Sequence, residues 1–355
     1  MFIPQERRYQ LQSEEGNRRV EALLEGLHIS GASRPLYAQL LTTILKMYED
    51  GADLGDLKIA NSALKELRYA FKVFSPYRET PKVTVFGSAR TPPESPISVQ
   101  ARQFARTMVQ AGWMVVTGAG GGVMGAAQEG AGRDASFGLN IRLPFEQEPN
   151  PWIAEDPKLI NFKYFFTRKL FFLKDARAAC LCPGGFGTFD EAFELLTLVQ
   201  TGKSPIMPVV LLDTPGGDYW RLWEAFLREQ MLARGLLSAE DLQLYRITDD
   251  VERAAAEIFA FYRIFHSARF VDDNLVFRLR QPLPASVLST LQAAYADILQ
   301  GPLEQCQGPL LAEGEEWPTL WRLVIPFIRS RYGRLRKLID AINAAEPFVV
   351  DGGRC

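Results

Sequence analysis

Between residues 81 and 265 the chain repeats one pattern: a short apolar run, a turn rich in glycine, then a helix-length segment. This alternation constrains the fold more than any other feature. Strands separated by helical crossovers run parallel, and such strands assemble into a doubly wound sheet with helices on both faces. The strand runs fit 83–86, 114–117, 138–143, 178–182 and 207–212, and the helices fit about 95–111, 123–131, 165–177, 188–200 and 219–234. Right-handed crossovers place the strand carboxyl ends on one edge, and the ligand crevice of such a sheet lies outside that edge.

The expected fold class is therefore α/β with a Rossmann-like parallel sheet. It is flanked by a helical segment over 1–80 and a small α+β appendage over 266–355. In the first segment Tyr37, Leu40, Leu41, Ile44 and Leu45 recur at helical spacing, as do Leu64, Leu67, Ala70 and Phe71. Such spacing predicts helices whose apolar faces pack against the next unit. Residues 53–56, with glycines close by, read as a turn. The appendage reads as βαββα: strands at 274–279, within 301–315 and at 320–327, and helices at 284–299 and 331–343.

Two glycine-rich turns stand where chemistry is expected. In Pro183-Gly184-Gly185-Phe186-Gly187-Thr188-Phe189-Asp190-Glu191, three glycines occupy four positions after an apolar strand and before a helix. Bare backbone lets an anion approach closely, and the exposed amides and helix dipole favour a phosphate there. Thr188-x-x-Glu191 is also the signature of a capping box, so a plain tight turn competes with the phosphate reading. The second turn is Gly118-Ala119-Gly120-Gly121-Gly122-Val123-Met124-Gly125. It overlaps the dinucleotide pattern but follows the second strand rather than the first. The next strand also carries no acid for a ribose, which argues against a dehydrogenase. Together with Gly87-Ser88, both turns fall at strand carboxyl ends and suggest one crevice of mononucleotide width.

Composition narrows the partners. Forty basic and 42 acidic residues leave a net charge of −2, which gives no general attraction to nucleic acid or anionic membrane. No apolar run is long enough to cross a bilayer, and the start MFIPQERRYQ lacks a signal-type apolar core, so a cytoplasmic location is expected. Four cysteines do not make a disulfide framework, and Cys180 and Cys182 read as buried strand residues. The two histidines, His28 and His266, have no partner ligands in sequence, so neither metal nor cofactor is expected.

These motifs resemble the Lonely Guy family of nucleotide phosphoribohydrolases, once widely labelled lysine decarboxylases. The resemblance is carried by Pro183-Gly-Gly-x-Gly-Thr-x-x-Glu191, by Gly120-Gly121-Gly122 with Met124-Gly125, and by Arg168-Lys169. Phe86-Gly87-Ser88-Ala89-Arg90 and Leu143-Pro144-Phe145-Glu146-Gln147 are similar to its longer bacterial members, and the likeness spans about 80–265. It implies hydrolysis of the N-glycosidic bond of a nucleoside 5′-monophosphate, typically of adenine type, to free base and ribose 5-phosphate. By the same resemblance Arg168 and Glu191 form the catalytic pair, and a homodimer or higher homo-oligomer is expected. Gly87, Ser88, Gly120, Gly121, Gly122, Lys169, Gly184, Gly185, Gly187 and Thr188 are the expected substrate contacts.

The residues support that reading in part by their own chemistry. Glycosidic cleavage builds positive charge on the sugar, which a carboxylate stabilises while orienting water. Glu191 shares a helix face with Thr188, whereas Asp190 points about 100° away and reads as helix-start charge. Arg168 is suited to the phosphate, the ribose hydroxyls or the Glu191 carboxylate, with a solvated surface arginine as the alternative. Lys169 carries the same alternative with more weight. Phe171, Phe172 and Leu173 read as core or subunit interface, while Phe145, Phe166 and Phe186 are either base-stacking or core. A non-catalytic nucleotide or molybdenum-cofactor carrier remains the other class of function, because such carriers also use a glycine-rich turn.

Overall fold

The computed structural model describes residues 9–143, 148–329 and 331–346, which form two compact units dividing between Tyr69 and Ala70. The first unit is helical. Helix α1 (Glu14–Gly26) is capped by Ser13, whose hydroxyl accepts from the Gly16 amide, and α2 (Arg34–Glu49) begins with a proline in its first turn. Leu11, Val20 and Leu24 form its core, with Ile29, Ala38 and Leu41 against them. Helix α3 (Leu54–Phe74) runs into the second unit.

Two expectations about this region change. Residues 53–56 are a helix start rather than a free turn: the Asp56 amide donates to Asp53 Oδ1 (2.8 Å) and the Asp53 amide to Asp56 Oδ2 (3.2 Å). Asp at a cap satisfies donors that a helix leaves unpaired, so the same residues suit both readings until the following turn is seen. The apolar periodicity does mark helices, but its residues are covered only in part: Ala70 is buried. Tyr37, Leu40, Ile44, Leu45 and Leu64 are all exposed, and Leu41 packs on the first unit's own core.

The second unit is built on a seven-stranded parallel sheet. Its elements follow in order: β1 (Lys82–Phe86), α4 (Pro96–Gln110), β2 (Met114–Thr117), α5 (Gly122–Ala131), β3 (Ser136–Ile141), β4 (Leu159–Phe162), α6 (Phe165–Leu173), β5 (Ala178–Leu181), α7 (Phe186–Gln200), β6 (Val209–Leu212), α8 (Tyr219–Phe226), β7 (Arg246–Thr248) and α9 (Val251–Phe261). The strand order is β4-β3-β2-β1-β5-β6-β7 and every pairing is parallel. Central strands β1, β2 and β5 are buried along their whole length, as parallel strands covered on both faces must be. Val83, Val85, Val115, Ala178 and Cys180 join Phe104, Met108 and Ile258 in the core beneath α4, α5 and α9. Cys180 and Cys182 are thus buried packing residues.

Three further boundaries differ from the sequence reading. Strands β4 and β7 are additional; at four and three residues, partly polar and at the sheet edges, they give too little periodicity to detect. Helix α6 stops at Leu173, where the Thr84 hydroxyl of β1 donates to the Phe172 carbonyl (2.6 Å). The segment after α8 widens into a π-helical turn, Leu227–Leu232.

The C-terminal part is an antiparallel sheet, β10-β11-β9-β8, with two helices: β8 (Phe265–Val271), β9 (Asn274–Leu279), α10 (Ala285–Ala294), β10 (Glu304–Gln307), β11 (Trp321–Ile325) and α11 (Tyr332–Ala344). The order is ββαββα, not βαββα. The extra strand β8 escapes detection because a register irregularity between Phe265 and Ser267 breaks its two-residue period. Arg278 and Arg322 face each other across β9 and β11 and share one carboxylate: Glu313 Oε1 takes two bonds from Arg278 (3.0 and 2.8 Å) and Oε2 one from Arg322 (2.8 Å). All three side chains are buried. Glu313→Ala is therefore expected to cost about 3 kcal/mol in denaturant unfolding, because it leaves the buried Arg322 with carbonyl partners alone and Arg278 with the exposed Glu316. Burial opposes ionisation of Glu313, but bonds from Arg322 and Arg278 outweigh it and hold the carboxyl below its ordinary value of 4.5. Its contribution is thus present above that value and lost as pH falls below it, so the gap between Glu313→Ala and wild type narrows in acid.

Candidate active site

Strand β1 sits between β2 and β5, so the chain leaves it in one direction and returns on its other side at β5. This is the switch point of the sheet, where the loops after two neighbouring strands diverge and open a crevice. Backbone bonds stitch the loops together. The Ser88 amide donates to Pro183 O (3.1 Å), the Val123 amide donates to Ser88 O (3.0 Å), and the Tyr219 hydroxyl donates to Gly184 O (2.5 Å). The segments after β1, β2 and β5 are thereby held at fixed separations.

The crevice encloses about 660 Å³. Of the expected contacts, Gly87, Ser88, Arg168, Gly185, Gly187, Thr188 and Glu191 line it. Gly120, Gly121, Gly122, Gly184 and Lys169 do not. The Gly122 residue has φ 59°, and a Cβ there would lie 2.2 Å from Ser88 O. A Cβ at Gly184 would meet the Thr188 hydroxyl at 2.1 Å. Both glycines let the loops close on one another. At Gly185 and Gly187, by contrast, a Cβ would meet nothing within 4 Å, so their bare backbone faces open space.

Helix α7 begins at Phe186 with Gly185 as its cap residue, two positions earlier than the sequence suggests. Thr188 is therefore inside the first turn and the Thr188–Glu191 capping box does not form. The Thr188 and Phe189 amides bond to Gly185 O (3.0 and 3.2 Å), while those of Phe186 and Gly187 precede the helix's own ladder. Both of the latter residues line the crevice, and the helix dipole adds positive potential at this end.

Glu191, one turn further along α7, is 5% exposed. Its Oε2 accepts from Lys169 Nζ at 3.3 Å; its Oε1 lies 3.6 Å from Arg168 Nη2 and has no hydrogen-bond partner. Burial raises the Glu191 carboxyl above its ordinary value, and the Lys169 and Arg168 charges only partly offset this. Burial likewise lowers Arg168, against the pull of Glu191 and Asp190. The Arg168 guanidinium lies over the rings of Phe165 (5.0 Å) and Phe172 (5.3 Å), which fix it at the crevice wall. Lys169 turns instead to Glu194 (2.7 Å), Asp190 (2.9 Å) and Glu191. Burial would lower its proton affinity, but the bonds to Glu194 and Asp190 prevail and hold it up. Lys169 thus stands against Glu191 and outside the crevice lining.

Arg90 and Met124, which the sequence reading quoted as motif residues but not as expected contacts, also line the crevice. The Arg90 amide donates to Ser88 Oγ (3.1 Å) and its side chain is exposed at the rim. Its position within four residues of a strand carboxyl end was the available signal. Phe186 is 94% exposed on the lip, whereas Phe166 stacks on Tyr164 away from the crevice. Phe145, with Pro144, Glu146 and Gln147, lies outside the described residues. Phe171, Phe172 and Leu173 are buried.

The two kinds of glycine predict opposite outcomes. Gly122→Ala should destabilise by about 2 kcal/mol or more, from a left-handed φ and a backbone clash together. Gly187→Ala should be neutral or stabilising by about 0.4–1 kcal/mol, since the site is open and helical. Thermal unfolding of the two variants checks both.

Residues 121–258 match the model of the family described as "Possible lysine decarboxylase". No curated protein sequence matches the chain. Among solved structures, the molybdenum cofactor carrier protein from Chlamydomonas reinhardtii is 22% identical, over 50% of this chain and 96% of that one, with a TM-score of 0.35. The molybdenum cofactor binding protein from the phototrophic bacterium Rippkaea orientalis is 20% identical over 51% and 96%, also at 0.35. DNA processing protein A from Helicobacter pylori is 14% identical over 51% and 82%, at 0.35. Likeness of this degree carries no functional argument.

Proposed function

We propose that the chain hydrolyses the N-glycosidic bond of a nucleoside 5′-monophosphate, releasing the free base and ribose 5-phosphate. One observation carries the reading: a buried carboxylate oxygen, Glu191 Oε1, without a hydrogen-bond partner, in the same crevice as the bare first turn of α7. A site that only held phosphate would have no use for that oxygen, since a carboxylate beside the anion opposes binding. The sequence resemblance and the family match over 121–258 support the same chemistry.

In this mechanism the amides of Phe186 and Gly187, with the Thr188 hydroxyl, receive the 5′-phosphate at the helix start. The sugar then lies along α7 toward Glu191. As the bond from C1′ to the base nitrogen breaks, both of its electrons leave with the base and positive charge grows on the ribose. Glu191 stabilises that charge and takes a proton from the attacking water, whose oxygen forms the new bond to C1′; the departing base takes up a proton from solvent. Arg168 orients the Glu191 carboxylate and the ribose hydroxyls, and Lys169 steadies Glu191 from behind. A pyridoxal-type decarboxylase would need an unprotonated amine facing the crevice. Lys169 is held protonated by three carboxylates and does not line it, so it does not fit that chemistry.

A panel of nucleoside monophosphates, assayed for free base, tests the proposal; adenosine monophosphate is the expected substrate. Glu191→Gln should lower kcat by about a hundredfold or more with an unchanged unfolding transition. Base release by this variant at the wild-type rate removes Glu191 from the mechanism. Because the ionised form is the active one and burial raises its proton affinity, kcat/KM should fall on the acid side around a pH above the ordinary glutamate value of 4.5. An acid limb at or below that value contradicts the role of the buried carboxylate.

A further inference from the structure

A second cavity, of about 360 Å³, lies at the other edge of the parallel sheet. Pro81, Trp113 and Arg177, the residues that precede β1, β2 and β5, line it on one side; His266 of β8 and Arg280 just after β9 line it on the other. It belongs to the second compact unit and shares no lining residue with the crevice described above.

Its charge is unbalanced. Arg278 and Arg322, close by, are neutralised by Glu313 and Glu316. Among the described residues Arg177 and Arg280 form no such ion pair, and the charged group that acts most strongly on Arg280 is Arg177, a like charge, which adds to desolvation in lowering the Arg280 proton affinity. Among the described lining residues Glu79 is the one acid, and it is exposed. Tyr262 ties the Arg177 backbone to the Arg280 side chain. The Tyr262 hydroxyl donates to Arg177 O (2.6 Å), and Arg280 Nε donates to Tyr262 O (3.0 Å). Two like charges lining one cavity favour an anion there.

The remaining walls are aromatic. Trp113 is buried, with its ring 6.0 Å from that of Tyr262. Trp317 presents its indole 4.6 Å from the His266 ring, from a backbone at φ 52° that bulky residues seldom adopt. Arg322 pins that conformation by donating to Trp317 O (3.0 Å). His266 is pushed down to about 4 by burial and by Arg177, Arg280, Arg278 and Arg322, so at neutral pH it adds no charge of its own.

We propose that this cavity binds a small organic anion: a planar ring carried against Trp113 and Trp317, with a carboxylate or phosphate group on Arg177 and Arg280.

The test is ligand-observed ¹⁹F NMR on the full chain with two probes, 4-fluorophenylacetate and 4-fluorophenyl phosphate. Gly187→Leu serves as the background protein because its side chain projects into open space at the first crevice, beside the start of α7, and the arginine variants are compared within that background, so failure of the proposed hydrolase reading does not enter the result. At least one probe is expected to bind, and the preferred one identifies the anionic group. Arg177→Met with Arg280→Met should weaken it about tenfold or more, and Arg280→Lys less. The uncharged 4-fluorophenol, observed directly, and inorganic phosphate, read by displacement of the bound probe, should each bind at least about tenfold more weakly than the preferred probe. Removing the repelling pair should leave the thermal midpoint unchanged or raised; if the double variant does not fold, the exposed Arg280→Met alone gives the same readout. Absence of binding by both probes, equal binding by the arginine variants, or inorganic phosphate binding as tightly as the ring-bearing probe each overturns the proposal.

Discussion

The candidate site depends on the two backbone bonds of Ser88. Its amide joins the loop after β1 to the loop after β5, and its carbonyl joins it to the first turn of α5. Without them three glycine-rich segments would end near one another at no fixed distance. With them, the start of α7 is set against the wall that carries Arg168. The energetic value of each bond is modest, about 1 kcal/mol. Their effect is geometric, because they remove the independent motion of loops on which any catalytic alignment depends.

That stitching divides the glycines into two classes with different physical reasons. Gly122 and Gly184 are small because other parts of the protein occupy the space a side chain would need. Gly185 and Gly187 are small although nothing in the chain occupies that space. The first class makes the crevice and the second leaves it open. Glu191 completes the arrangement at an energetic cost, since a buried carboxylate with an unpartnered oxygen is unfavourable. Lys169 and Arg168 reduce that cost without removing it, which leaves the carboxylate basic.

Much of the fold was legible along the chain. The parallel strands at Met114–Thr117 and Ala178–Leu181 stand out because central strands are apolar throughout, and glycine marks their ends. Edge strands β4 and β7 were not legible, being short and half polar, nor was β8, whose irregular register hides its alternation. For the site, Glu191 and Arg168 could be named from their motif, whereas the capping box that competed for Thr188 and Glu191 does not form, because Gly185 holds the cap. Threonine before an acid at that spacing satisfies a cap equally well wherever the helix starts, so local sequence does not decide between the two registers.

The sequence by itself determined the strand-to-helix rhythm, the parallel sheet and the edge at which glycine turns gather, because those follow from hydrophobic periodicity and backbone freedom. Only the tertiary structure decided which glycines face the crevice and which are filled by neighbours, since that depends on loops brought together from distant positions. It also decided that Lys169 stands behind Glu191 while Arg168 lies beside it in the wall, although the two are adjacent in sequence and equally cationic. On a helix, neighbouring side chains diverge by about 100°, and what each one meets belongs to the rest of the fold.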